Sequence, residues 1–420
     1  MKTFFNSLDK TKVLNNETSF AVLVSGGVDS IVLLFLINIW AKKNNKEIIV
    51  IHFNHNLRKN SMKDFLFVKA FCTQCKLKCV LLNWKEKPTS AILEKARISR
   101  YEAISYYCKN NNINTCFTGH HADDIAETIT MRLLRQSNID GLCPIMFQRK
   151  LFGIKLIRPL LKVRKKELYK FAKEKKIKFI EDPSNKNTKT LRARIRNYLN
   201  KEEKLSKNLI KSAELFCKLK FITDNYIRIN FSRYYDFFET GYVSVDKEIL
   251  NIYPKFMLLK FLKICLMKVG NKIYPPQTIA LEKVYDLINS KQETNITISG
   301  CVVSCKKSKL LIIREYNNID KNLIKISENK ELEWDNRFII RNISKSKQLL
   351  VFPLGNLIFK KNIKYPYNII KKSFNKLPYM VKISLPVIKN LEGSIFVPHL
   401  NIYSNLEIKK ITSVKTKLLY

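Results

Sequence analysis

The sequence predicts an α/β protein built on a parallel sheet with helices on both faces, followed by a helical domain and a small β-containing C-terminal domain. Short apolar runs alternate with longer helical patterns through the first half, which is the signature of strand–helix–strand units. The only Gly-Gly pair among ten glycines falls where the first of these runs meets a helix. At 420 residues and 46% hydrophobic composition the chain can bury two or three cores, given roughly 100 to 200 residues per domain.

In order, Phe20–Val24, Ile48–Phe53, Cys79–Trp84 and Asn114–Thr118 read as strands, with helices near 30–43, 61–76, 90–110 and 122–136. A sheet wound this way binds ligands outside the carboxyl ends of its strands, so the residues just after each strand are the functional candidates. From about 203 the pattern turns helical, with apolar spacing through Leu209, Ala213 and Phe216, then Phe256 to Leu266 and Ile279 to Ile288. From Thr294 onward short β-type runs take over: Ile296–Gly300, Cys301–Ser304, Leu310–Ile313, Phe338–Ile340 and Leu349–Phe352. Domains are therefore expected at 1–202, 203–290 and 291–420.

Charge narrows the class of partner. With 77 Lys+Arg against 35 Asp+Glu the formal net charge is +42, and no acidic tract neutralises it. The abundance of Lys, Asn and Ile is what A-rich codons produce, which discounts part of this excess. The field that remains attracts polyanions by counterion release, and a nucleic acid is the expected partner. The longest apolar run, Ile31 to Trp40, falls short of the roughly 20 residues a membrane helix needs. The start lacks the order of a secretory signal, so a cytoplasmic protein without a membrane partner is expected. In that compartment the ten cysteines read as reduced, buried thiols. Cys72, Cys75 and Cys79 cluster, but no second Cys or His pair completes a metal site.

The first strand runs into Ser25-Gly26-Gly27-Val28-Asp29-Ser30 and then a helix. A small-residue turn at a helix N-terminus offers backbone N–H groups and the positive end of the dipole to a phosphate. The Lys-Ser/Thr pair of the Walker loop is absent. Asp29 beside a phosphate requires a hard bridging cation such as Mg2+. The bland alternative is a glycine turn with Asp29 or Ser30 capping the helix.

This hexad resembles the pyrophosphate-binding loop of N-type ATP pyrophosphatases, the PP-loop superfamily of adenine nucleotide α-hydrolase-like fold. Four further motifs follow in order: His55-Asn56-Leu57-Arg58, Gly119-His120-His121-Ala122-Asp123-Asp124-Ile125-Ala126-Glu127-Thr128, Arg158-Pro159-Leu160-Leu161 and Glu181-Asp182-Pro183-Ser184-Asn185. Together they resemble the tRNA(Ile)-lysidine synthetase family. That resemblance implies an enzyme that joins free lysine to C2 of the wobble cytidine, position 34, of an isoleucine tRNA with a CAU anticodon. It would proceed through an adenylated cytidine, with ATP yielding pyrophosphate and AMP. Lysidine then pairs with A instead of G.

The resemblance also assigns residues. Ser25, Gly26, Gly27, Val28, Asp29 and Ser30, with His55 and Arg58, would bind ATP, and Asp29 the Mg2+. The family's usual Asp-His-Gly-Leu-Arg carries Asn54 and Asn56 at two positions here. Arg97, three residues from Arg100 on one helix face, would stabilise charge at the phosphates or on the adenylated intermediate. Asp124 and Glu127 share a helix face that would receive the lysine ammonium; capping alone explains one or two of the three acids here. Asp29, Arg97, Asp124 and Glu127 form the expected catalytic set. Arg132, Arg135, Arg158, Lys162, Arg192 and Arg196 would contact tRNA, with Arg192 and Arg196 on one face and Arg194 apart. Asp182–Asn185 reads as a structural turn. The segment Lys371 to Tyr403 resembles the family's C-terminal domain. A homodimer is one oligomeric state left open.

Three rivals remain. A tRNA cytidine thiolase on the same fold should carry paired C-x2-C motifs, and only Cys72-x2-Cys75 is present. A non-catalytic RNA-binding protein has no reason to keep the full hexad. A glutamine-fed amidotransferase needs a glutaminase domain, and no residue suggests one.

Overall fold

The computed structural model describes residues 2–9, 11, 14, 16–56, 61–84, 92–181, 190–272, 275–289, 293–342, 348–358, 377–400, 402–403 and 417–418. Two compact units make up the chain, residues 1–222 and 223–420. Among the described residues no helix is long and apolar enough to cross a membrane.

The first unit is a six-stranded sheet. Its strands are β1 (Ser19–Leu23), β2 (Glu47–Asn54), β3 (Lys78–Asn83), β4 (Thr115–Phe117), β5 (Gln148–Leu151) and β6 (Ile154–Ile157), in the order β3-β2-β1-β4-β6-β5. All neighbours are parallel except the β5–β6 hairpin. The first four strands lie within a residue or two of their expected places. The hairpin was not legible: Gln-Arg-Lys-Leu and Ile-Lys-Leu-Ile are short and carry lysines. What makes it is Phe152-Gly153, both in the left-handed region at φ 49° and 87°, the conformation a two-residue hairpin turn demands.

The helices are α1 (Lys2–Asp9), α2 (Val28–Lys43), α3 (Ser61–Gln74), α4 (Ile92–Asn110), α5 (Ala122–Leu134), α6 (Ile139–Leu142), α7 (Lys165–Glu174), α8 (Leu191–Lys201) and α9 (Glu203–Asn230). Helix α2 is apolar all round, and a helix of that kind must be buried. Its Ile31, Leu33, Leu34 and Ile37 pack with Val68 of α3 and with Leu168 and Ala172 of α7 on one sheet face. On the other face, Tyr101, Ile104 and Cys108 of α4 pack on Ala21 and Ile51. The chain winds outward from β1 to β3 and then resumes at β4 on the opposite side of β1. The strand order thus reverses between β1 and β4, which opens a crevice at their carboxyl ends.

In the second unit, β7 (Tyr235–Phe237), β8 (Val243–Asp246), β9 (Asn295–Ile298), β10 (Cys301–Cys305) and β11 (Lys309–Arg314) form one antiparallel sheet in the order β7-β8-β11-β10-β9. Helices α10 (Ile249–Ile252), α11 (Lys255–Gly270) and α12 (Thr278–Asn289) belong to the same unit. Leu258, Leu262, Leu266, Leu281 and Val284 of α11 and α12 share a core with Val243, Val303 and Ile312. The stretch read as helical therefore also supplies two strands, and hydrogen bonding joins segments from either side of residue 290. Two further sheets follow, of five and three strands. One holds β12 (Ile324–Ser327), β15 (Gln348–Pro353), β16 (Pro386–Asn390), β17 (Ile395–Val397) and β18 (Ile402–Tyr403); the other holds β13 (Glu331–Trp334), β14 (Phe338–Arg341) and β19 (Lys417–Leu418). The buried Asp335 carboxylate ties them to β11, accepting from Arg314 Nε and Nη2 at 2.9 and 2.8 Å and from Arg337 Nε at 2.7 Å.

The cysteine expectation needs one correction. Cys143 and Cys217 form a disulfide with Cα atoms 4.7 Å apart, while the other eight are free. The sequence hid this pairing because 74 residues separate the partners, and only the packing of α9 on the α6 turn brings them together.

Candidate active site

The hexad closes the mouth of β1. Gly26 has φ 101°, a left-handed conformation that glycine takes without steric cost. A Cβ there would also stand 2.8 Å from Ile180 Cδ1. Ile180 N–H donates to the Gly26 carbonyl at 2.9 Å, so the segment after α7 braces the loop. Buried Ser30 Oγ accepts from the Ser25 and Gly26 N–H groups, each at 3.2 Å, and donates to the Gly27 carbonyl at 2.9 Å. Gly27 is the N-cap of α2 without a side-chain cap, which leaves first-turn N–H groups, including those of Val28 and Asp29, for an anion. Behind the loop, His52 of β2 bonds the Val24 carbonyl at 2.9 Å.

Across the switch point, Gly119 ends β4 against α2: a Cβ there would lie 3.1 Å from the Asp29 carbonyl. This close approach brings His121 to Asp29, with Nε2 3.6 Å from Oδ2. His121 also caps α5, its backbone N–H donating to Asp124 Oδ2 at 3.1 Å. Lys165 Nζ stands 3.8 Å from Asp29 Oδ2. Burial pushes the Asp29 carboxyl up, and His121 and Lys165 offset only part of that shift. Asp29 Oδ1 is buried without a hydrogen-bond partner. A buried carboxylate oxygen with no donor, beside a phosphate-binding turn, fits a hard cation.

Of the three α5 carboxylates, Asp123 meets the start of α7, while Asp124 and Glu127 share Arg192 of α8. Asp123 accepts from Arg164 Nε at 2.8 Å and from the Lys165 N–H at 2.6 Å, fastening the start of α7. Asp124 accepts from Arg192 Nη2 at 2.8 Å. Burial pushes its carboxyl up, but His121, His120, Arg192 and the His121 N–H outweigh this and hold it below the usual range. Glu127 is 2% exposed and accepts from Arg192 Nε and Arg196 Nε, both at 2.6 Å, and from Arg196 Nη2 at 3.2 Å. The face expected to receive an ammonium is therefore already covered by α8. Its guanidiniums come from Arg192 and Arg196, the pair read as sharing one helix face, here turned inward onto α5.

Arg97 of α4 is exposed, and its field reaches both Arg132 and Arg158. Arg132 and Arg158, expected to face RNA, instead bond protein carbonyls. Arg132 donates to the Gly141 and Cys143 carbonyls, and buried Arg158 to the Met146 carbonyl at 2.7 Å. Arg135 and Lys162 are exposed and open to a partner. His55 sits edge-on to Phe53 and Trp84, with ring centroids 4.8 and 6.3 Å away. Burial, with Arg100 and His52, pushes it down to about 4, so it is neutral near pH 7. Asn56 has φ 51°, and its N–H donates to Asn54 Oδ1 at 2.9 Å. Asn tolerates the left-handed region best after glycine, which accounts for its replacing the family's Gly. Arg58 and Asp182–Asn185 lie outside the described residues.

Sequence reasoning missed Tyr169 and Ile180. Tyr169 lines a cavity of about 400 Å³ with Asp123, Arg164, Lys165 and Arg196. Neither residue carries a motif signal; each matters through the return of the chain after α7.

A phosphate-binding turn and a braced acidic helix at a switch point define a PP-loop protein, and a family model described as a PP-loop domain matches residues 1–203. Full-length relatives carry the match further. The chain is 33% identical over 392 residues to a tRNA(Ile)-lysidine synthase of Wolbachia pipientis wMel, covering 90% of this chain and 89% of that one. Proteins of the same name from Rickettsia prowazekii (strain Madrid E) and Orientia tsutsugamushi (strain Boryong) are 31% and 29% identical. These matches cover 92% and 98% of this chain, and 91% and 95% of theirs. The chain belongs to the tRNA(Ile)-lysidine synthase family.

Proposed function

We propose that the protein joins free lysine to C2 of the wobble cytidine in an isoleucine tRNA with a CAU anticodon, consuming ATP. The observation that carries this reading is the meeting of the Ser25–Ser30 turn with the Gly119–Glu127 segment at one crevice, with Asp29 between them. The α2 N-terminus and Ser25 hold the ATP phosphates. Asp29 would hold Mg2+, which supplies charge neutralisation on the phosphates. The cytidine O2 attacks the α-phosphorus and pyrophosphate departs, turning a poor carbonyl oxygen into a phosphate leaving group. Arg97, whose field reaches Arg158, would stabilise the charge that develops. Lysine enters beside Asp124 and Glu127, exchanging with the half-exposed guanidinium of Arg192. Its amine, having lost a proton, attacks C2 and expels AMP. An anticodon loop presents its base without duplex opening. The second unit, residues 223–420, serves as a further tRNA-binding part, in a cytoplasmic enzyme.

The test is incubation with ATP, Mg2+, radiolabelled lysine and the CAU tRNA, beside a transcript whose wobble C is changed. Label that needs both ATP and the wobble C supports the reading. AMP release without label moves the acceptor to sulfur or another amine, and neither signal leaves an RNA-binding protein. Asp29→Ala should abolish AMP release and leave tRNA affinity within about twofold; equal loss of both would refute the role given to Asp29.

A further inference from the structure

We propose that the groove between α7 and the returning segment 175–181 is a track for the tRNA sugar–phosphate strand, leading to Tyr169 at the rim of the cavity lined by Asp123, Arg164, Lys165 and Arg196. This inference rests on the tRNA reading above and adds to it a docking surface. The groove holds about 500 Å³ and is bordered by Tyr169, Phe179 and four lysines, Lys170, Lys173, Lys176 and Lys178, against one carboxylate, Glu181.

Its construction is simple. Helix α7 buries Leu168 and Ala172 against α2, which leaves Lys166, Lys170 and Lys173 along its open face at helical spacing. The chain then turns at Lys176 and comes back through Lys178 and Phe179 to brace Gly26 by way of Ile180. Lysines from the helix and from the return thus line the two walls of one depression.

Two of these cations are balanced: Lys166 meets Glu203 at 2.7 Å and Lys170 meets Glu174 at 3.9 Å. Among the described residues no carboxylate lies within ion-pair distance of Lys173, Lys176 or Lys178. Three exposed ammonium groups around a concave surface select a polyanion with repeated charges over any single carboxylate. Tyr169 makes nucleic acid the fitting class. It is 38% exposed, stands edge-on to Phe179 at 5.5 Å and 79°, and borders both this groove and the cavity that holds Lys165 and Arg196. A cationic groove that ends on an aromatic ring is how single strands are tracked, with phosphates on the lysines and a base on the ring.

The experiment measures tRNA binding by fluorescence anisotropy across a KCl series. It compares wild type, Lys173→Glu/Lys176→Glu, and a charge-matched Lys109→Glu/Lys150→Glu on α4 and β5, away from the α7 face. The Lys173/Lys176 pair should raise Kd at least tenfold at moderate salt. It should also lower the slope of log K against log salt by roughly 1.4 to 1.8, at about 0.7 to 0.9 per lost phosphate contact. The ATP KM should be unchanged, and the control pair should stay within threefold. Lys173→Gln/Lys176→Gln should fall between, separating lost contact from added repulsion. Tyr169→Ala should lower kcat/KM for tRNA, and Tyr169→Phe should restore it. A Lys173/Lys176 pair with wild-type Kd and slope, or a control that weakens binding equally, overturns the groove while leaving the enzyme reading intact. Wild-type protein that binds no tRNA overturns the enzyme reading itself, and the groove with it.

Discussion

Replacing Glu127 with Gln tests the arrangement of α5 and α8 most directly. The substitution keeps the shape of a side chain that is 2% exposed but converts one acceptor oxygen into a donor that faces a guanidinium. Severing a buried ion pair costs about 3 to 5 kcal/mol. Here the Arg192 and Arg196 side chains are 44% and 24% exposed, so both can turn part of their charge to water. Arg192 also keeps Asp124. The discounted loss is about 2 kcal/mol, which at roughly 2 to 4 °C per kcal/mol lowers Tm by about 4 to 8 °C for a unit of this size. Thermal unfolding followed by circular dichroism measures it. A double-mutant cycle with Arg196→Gln should show coupling above about 1 kcal/mol, because the two groups share hydrogen bonds. A Tm within 1 °C of wild type, or strictly additive single effects, would refute the claim that Glu127 clamps α8.

Three further outcomes follow from the geometry. Gly26→Ala, at φ 101° and with Ile180 2.8 Å from the new methyl, should raise the ATP KM at least tenfold in steady-state assays while lysine KM changes little. His120 and His399 are each pushed down to about 4, burial being the main cause. The unfolded chain therefore binds these protons first, and stability should fall as pH drops from about 6.5 to 4. Urea midpoints at pH 7 and 5 should show that loss, and His120→Gln should reduce it. Alkylation of the denatured protein without reductant should label eight cysteines, with Cys143 and Cys217 joining only after reduction.

Much of the first unit was legible because its information is local. The first four strands announce themselves as apolar runs, and a glycine pair before an apolar helix has few structural uses. The β5–β6 hairpin escaped because its strands look solvated and its turn begins with Phe152, a residue that seldom takes a left-handed conformation. In the site, the identity of the acidic helix was readable and its partners were not. Arg192 and Glu127 lie 65 positions apart, and no local pattern says which cation covers which carboxylate. The same holds for Arg158: basic character marks it as a phosphate ligand, and only burial against the Met146 carbonyl gives it a structural task. Asn56 is the reverse case, where a departure from the family pattern becomes intelligible once its φ of 51° is known.

The bond from Ile180 to Gly26 bears on how the protein is made. The hexad leaves the ribosome early, yet the segment that braces its backbone is synthesised about 150 residues later. At about 5 to 20 residues per second that delay is roughly 7 to 30 s. During that interval the nascent chain carries the nucleotide-binding letters without the geometry that gives them affinity. A fragment ending at the close of α7 should therefore display the complete motif and bind ATP poorly, so competence arrives with one late hydrogen bond and not with the motif.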